Sequence, residues 1–135
     1  MSPEATFRGR LDFCSNFHWP CLVRLDGEAY DSVEHAYQAA KFLDPGLRIM
    51  FRSSVDGIGI TPGEAKKLAR KLTAQGYLRK DWEQASLGIM EGLVRQKFSL
   101  YPTLREKLLA TGDEELVEGN YWHDNFWGAC SCRKC

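Results

Sequence analysis

The sequence predicts a mainly helical α+β fold with a small β-hairpin, and three observations carry that expectation. Helix start signals recur along the chain, one long segment keeps an apolar spacing of three to four residues, and a single Asp-Gly dipeptide separates two short β-prone runs. The 135 residues are 44% hydrophobic and 12% aromatic, which is enough for a core. No repeat, low-complexity tract or linker divides them, so residues 1–135 are expected to form one domain.

The elements follow in order. In "CLVRLDGEAYD" the Asp26-Gly27 pair tolerates the positive φ of a type I′ turn and predicts an antiparallel hairpin. The hairpin leads into "YDSVEHAYQAAKF", where Asp31 is placed as the helix cap and Glu34 as the far half of a capping box. Asp44-Pro45 opens a second helix, and Thr61, Pro62 and Glu64 open a third. The longest helix is predicted over Trp82 to Leu100, with Leu87, Met90, Leu93, Val94 and Phe98 as its apolar stripe. Pro102 starts a shorter helix that stops near Gly112. A short strand at "ELVEG" and an aromatic loop, "NYWHDNFWG", follow.

Composition narrows the function. Eighteen basic residues balance eighteen acidic ones, so the strong positive field of a general nucleic-acid binder is absent, and any contact with modified nucleic acid must be local. No apolar run reaches the length of a membrane span, and "MSPEATFRGR" lacks the order of a secretory signal. Five cysteines, three of them bunched in "CSCRKC", do not form a disulfide framework. The expectation is a cytoplasmic protein with reduced thiols and no membrane partner. Cys130, Cys132 and Cys135 lack the second ligand pair of a structural zinc site, so plain thiols are preferred to a metal centre. Walker, dinucleotide-fingerprint and zincin motifs are also missing.

Two stretches carry candidate chemistry. On the first predicted helix, Glu34, Gln38 and Lys41 align beside the apolar stripe, which fits either a solvated face or a ligand cleft. Glu34 read alone needs no role beyond the capping box. The "NYWHDNFWG" loop mixes flat apolar rings with Asn120, His123, Asp124 and Asn125, a combination suited to a planar polar ligand or to a loop pinned by its aromatics. His123 has no evident partner in the sequence and is given no acid–base role.

Five separated motifs then coincide in order: "FRGRLDFCSNFHWPCLVRLDGEAYDSVEHAYQAAKF", "TPGEAKKLAR", "DWEQASLGIMEGLVRQKF", "LLATGDEELVEGN" and "DNFWG". Together they resemble the NADAR family, also called YbiA-like, over nearly the whole chain. The resemblance implies an N-glycosidase that acts on a nucleotide-like substrate without a cofactor. That substrate is either an early riboflavin-pathway intermediate, 5-amino-6-ribosylamino-pyrimidinedione phosphate, or ADP-ribose attached to guanine. Carried over motif by motif, it implies Glu34, Asp124, Lys41 and Trp82 as catalytic residues. It implies Arg8, Gly9, Asn16, Phe17, Gln38, Trp127 and Gly128 as pocket residues. Relatives usually continue past the Trp-Gly dipeptide into a last helix, so the resemblance implies a NADAR-like domain without that helix.

Cleaving a ribose C–N bond builds positive charge at C1′ and negative charge on the leaving base. Two carboxylates, Glu34 and Asp124, suit the first task, and Trp82 and Asn16 suit the base. A desolvated Lys41 is also a candidate nucleophile toward opened ribose. The alternative class is a module that binds ADP-ribose or a nucleotide without cleaving it.

Overall fold

A computed structural model describes residues 9–52, 59–113, 116, 119–120, 127 and 129–130. Their order is a 3-10 segment (Gly9–Cys14), β1 (Val23–Leu25), β2 (Glu28–Tyr30), α1 (Val33–Ala40), α2 (Pro45–Arg48), a 3-10 turn (Ile49–Phe51), α3 (Pro62–Ala74), α4 (Trp82–Leu100), α5 (Pro102–Ala110), β3 (Gly119–Asn120) and β4 (Ala129–Cys130). Helices dominate and the sheets are small, as the sequence predicts. The chain divides into two compact units, residues 16–102 and residues 1–15 with 103–135.

The larger unit begins with the predicted hairpin. Asp26 and Gly27 take φ of 50° and 84°, and Leu25 pairs with Glu28 across the turn. An exposed two-stranded ribbon is marginal alone. Here α4 holds it: the Gln96 side-chain amide donates to Arg24 O at 2.9 Å and accepts from Arg24 N. At the end of α4, the Tyr101 hydroxyl donates to Leu22 O at 2.8 Å.

The cap of α1 differs from expectation. Ser32, not Asp31, accepts from the His35 N–H at 3.1 Å, so Glu34 sits one position too early to close a capping box. Ser32 is fully buried, and its hydroxyl also reaches the His35 ring, so the interior selects it over its neighbour. The other start signals hold. Asp44 caps α2 through Gly46 N, although α2 is a single turn continued as 3-10, and Thr61 with Glu64 makes a reciprocal capping box on α3.

Every residue of α1 from Val33 to Ala40 is buried, because α3 and α4 both pack on it. A helix covered on all sides is a core element rather than an amphipathic one. Phe42 stacks on Phe51 at 5.8 Å just beyond its end. In α4 the buried stripe is Ser86, Met90, Leu93 and Lys97, while Leu87 is 61% exposed. Leu87 was expected inside on spacing alone. Met90 and Leu93 are buried as the spacing predicts, but Ser86 and Lys97 take the inner positions in place of Leu87 and Phe98, and the Lys97 ammonium lies 5.3 Å from the Phe98 ring centroid.

In the smaller unit, Leu11, Phe13 and Leu104 are buried, and the Lys107 ammonium lies 5.8 Å from the Phe13 ring centroid. Gly112 has φ of 54°, the left-handed conformation that follows a helix end. β3 and β4 pair in parallel at Gly119↔Ala129 and Asn120↔Cys130. Of the expected "ELVEG" strand, Gly119 is in β3, Leu116 is not in a strand, and residues 115, 117 and 118 lie outside the described residues.

Candidate functional site

The buried face of α1 carries polar side chains that a purely structural helix would not keep. Glu34 and Gln38 are 6% and 4% exposed, one helical turn apart, and the Gln38 Nε2 donates to Glu34 Oε1 at 2.7 Å. A carboxylate that only accepts fixes the orientation of the amide. The Gln38 Oε1 is consequently turned away from Glu34, and it has no hydrogen-bond partner among the described residues. A buried acceptor left without a donor costs about 1–3 kcal/mol, so this oxygen is poised to accept from a hydroxyl or amine brought to it.

Lys41 follows at the end of the helix, with its Nζ 5.7 Å from the Tyr37 ring centroid and 5.8 Å from that of Trp82. The two rings lie 5.0 Å apart, tilted at 56°. Burial pushes the Lys41 pKa below the ordinary lysine value; the Glu34 carboxylate pulls it upward, and Lys66 and Arg70 lower it further. The cause is desolvation first, since a half-buried ammonium beside two aromatic rings has lost much of its water.

The backbone around Lys41 is held from the α3–α4 connection. Arg79 N donates to Lys41 O at 2.8 Å and Arg79 Nη1 to Ala40 O at 3.3 Å, closing the C-terminal carbonyls of α1. The same guanidinium grips Asp81 with two bonds, Nε to Oδ1 at 2.6 Å and Nη2 to Oδ2 at 2.9 Å. Trp82 is the next residue and the first of α4, so one arginine sets both the end of α1 and the ring that faces Lys41.

The N-terminal end of α1 is fixed as firmly. His35 Nε2 lies 2.6 Å from Ile60 O, a group that only accepts, so the proton sits on Nε2. His35 Nδ1 then accepts from the Ser32 hydroxyl at 2.7 Å. This latch ties α1 to Ile60, just ahead of α3. Asn16 completes the surroundings: its carbonyl accepts from Glu34 N at 3.0 Å and its Nδ2 reaches Met90 Sδ at 3.5 Å.

Of the residues named from the sequence, the structure gathers Glu34, Gln38, Lys41 and Trp82 in one place, with Asn16 on the Glu34 backbone. Phe17, in the same unit, is 38% exposed. Gly9, in the 3-10 segment, and the half-buried Trp127 belong to the other unit. Arg8, Asp124 and Gly128 lie outside the described residues, as do Cys132 and Cys135. Among the described residues, no group of three or more His, Cys, Asp or Glu side chains is placed to hold a metal. Sequence reasoning missed Tyr37, Arg79, Lys66 and Arg70. The last two stand four residues apart on α3, a spacing that puts both on one face, but nothing local ties that face to Lys41.

Comparisons with known proteins agree with one another. The chain is 39% identical over 123 residues to an N-glycosidase of Nostoc punctiforme, covering 89% of this chain and 72% of the relative. It is 33% identical over 117 residues to N-glycosidase YbiA of Escherichia coli (strain K12), covering 87% and 67%. It is 37% identical over 116 residues to a riboflavin biosynthesis protein of Vibrio vulnificus (strain YJ016), covering 86% of this chain but spanning only 29% of that protein. The NMR structure of E. coli YbiA superposes with a TM-score of 0.72 at 32% identity, over 93% of this chain and 71% of that one. The description "NADAR domain" matches residues 8–134. On that match and these relatives, the chain belongs to the NADAR domain family.

Proposed function

We propose that the chain is an N-glycosidase that hydrolyses the ribose C1′–N bond of a phosphorylated, nucleotide-like substrate in the cytoplasm. The observation that carries the reading is a buried Glu34–Gln38 pair on the same helix as a desolvated Lys41, whose ammonium lies beside the Tyr37–Trp82 aromatic pair. The names of the Nostoc and E. coli relatives support the reaction, and the Vibrio relative's name supports a riboflavin intermediate. The substrate is then 5-amino-6-ribosylamino-pyrimidinedione phosphate or ADP-ribose on guanine.

Each residue has a task in that reaction. Trp82 stacks on the base or sugar, Asn16 and Phe17 face the base, and Gln38 Oε1 accepts from a ribose hydroxyl, a bond that gains strength as charge develops on the sugar. Lys66 and Arg70 lie toward the phosphate. Glu34 stabilises positive charge at C1′. Asp124, Arg8, Gly9, Trp127 and Gly128 are assigned by family motif to complete the pocket, Asp124 as the second carboxylate.

Two routes use these groups. In direct hydrolysis, a carboxylate takes a proton from water as its oxygen bonds to C1′, and the C1′–N pair leaves with the base, which gains a proton. In the second route the ribose opens to an imine, and the neutral Lys41 amine adds to C1′. The base departs as its amine and leaves a lysine imine, which one water hydrolyses to free sugar and lysine. The lowered Lys41 pKa favours the second route because it raises the fraction of free amine.

The test is a mass-spectrometric assay of the purified chain with both substrates in parallel. Release of free base from one of them supports the reading and names the substrate. Tight binding without release from either would make the chain a nucleotide-binding module.

A further inference from the structure

The hairpin and α2 enclose a second cleft, of about 320 Å³, and none of its lining residues belongs to the Glu34 cluster. Its charges are layered. Arg48 bonds Asp26 at 2.6 Å and Arg52 bonds Glu28 at 2.8 Å; the arginine side chains are 14% and 33% exposed, the carboxylates 70% and 55%. The negative groups thus stand at the rim, where water screens them, while the positive groups lie deeper and are screened less. The floor carries a positive potential although the formal charges cancel.

Two polar groups in this floor are unused. Tyr30 is fully buried and its hydroxyl has no hydrogen-bond partner among the described residues; the buried Arg52 Nε has none either. Buried donors are almost always paired in folded proteins, so two orphans lining one cleft mark a place built for an acceptor. Arg48 cannot drift from it, because its Nε donates to Phe42 O at 2.6 Å. The facing wall is apolar, with Leu43 and Ile49 each 61% exposed. Large apolar side chains left in water beside paired guanidinium groups fit a ligand with an anionic head and a flat or apolar body.

We propose that this cleft is a second ligand site, separate from the Glu34 cluster, for a small oxyanion-headed molecule, a carboxylate or phosphate monoester. Its oxygens are held by Arg48, Arg52 and Tyr30, and its body lies on Leu43 and Ile49. The volume stands at the small end of ligand pockets, about 300 Å³ upward, which fits a single-ring compound.

Phenyl phosphate, benzoate and inorganic phosphate are titrated separately into the full chain, with backbone amide shifts as the readout. Saturable shifts at residues 26–30 and 43–52 are expected for phenyl phosphate or benzoate, and the one that binds identifies the head group. Arg52→Gln should weaken that binding at least tenfold, and Tyr30→Phe, which removes one oxygen only, several-fold. Leu43→Ser, an exposed change that leaves the fold intact, should weaken the ring-bearing probe while inorganic phosphate binds as before. Glu34→Gln should bind the probe normally. The proposal is overturned if neither ring-bearing probe saturates, if their shifts fall only on the Glu34 cluster, or if Arg52→Gln and Leu43→Ser both bind like the parent.

Discussion

Gln38 and Glu34 are joined by a 2.7 Å hydrogen bond on a helix whose residues are all buried. The pair fixes both side chains at once: Glu34 is oriented by the amide, and Gln38 Oε1 is presented without a donor of its own. Replacing Gln38 by Leu should therefore cost about tenfold in kcat/KM on a ribosyl substrate, the worth of one hydrogen bond. On the matching 2′- or 3′-deoxyribosyl substrate that lacks the bonded hydroxyl, the same substitution should cost much less. Equal losses on all three substrates would reduce Gln38 to an orienting role.

Lys41 links the site to stability. Its pKa is lowered in the folded chain, so between that value and the ordinary 10.5 the unfolded chain binds more protons and stability rises with pH. The penalty is full below the folded-state pKa and vanishes above the unfolded one. Lys41→Met should abolish turnover by the lysine route yet raise Tm by roughly 2–4 °C near neutrality. That advantage should shrink as pH climbs toward 10.5, as thermal melts at stepped pH would show.

Ser32 gives the opposite result. Ser32→Ala removes the α1 cap and the donor to His35 Nδ1 together, so it should lower stability by about 1–2 kcal/mol, some 3–8 °C in Tm. Ser32→Thr keeps the oxygen and should recover part of the loss. A melt for the alanine variant matching the parent would show that the cap contributes nothing.

Arg79 sets the spacing of Lys41 and Trp82 through its bonds to the Lys41 carbonyl and to Asp81. Arg79→Lys retains the charge but loses the two-bond grip on Asp81, and kcat/KM should fall about tenfold with Tm nearly unchanged. Tryptophan fluorescence should report the movement of Trp82, and an unaltered spectrum with unaltered kinetics would remove Arg79 from the account.

Local signals were readable before the fold was known. Asp26-Gly27 and the Thr61–Glu64 box are decided by backbone geometry within four residues, and both appear as expected. Glu34, Gln38 and Lys41 were legible as a stripe for the same reason, since helical spacing alone aligns them. What spacing cannot decide is which of two adjacent capping residues is buried, and Ser32 displaced Asp31 on that ground. Burial from distant elements likewise put Lys97 inside and Leu87 outside α4. Arg79 and the Lys66–Arg70 pair act on Lys41 only through packing between helices, so their roles have no sequence signature. The assignment of Asp124 rests on motif resemblance and not on any spacing.

The central claim is that the Glu34 cluster cleaves an N-glycosidic bond, and a single comparison tests it. Base release is timed under single-turnover conditions for the parent and for Glu34→Gln, with melting curves to show that both are folded. The account predicts release by the parent and a rate at least about a hundredfold lower for the variant at equal Tm. Release at the parental rate from folded Glu34→Gln would contradict it.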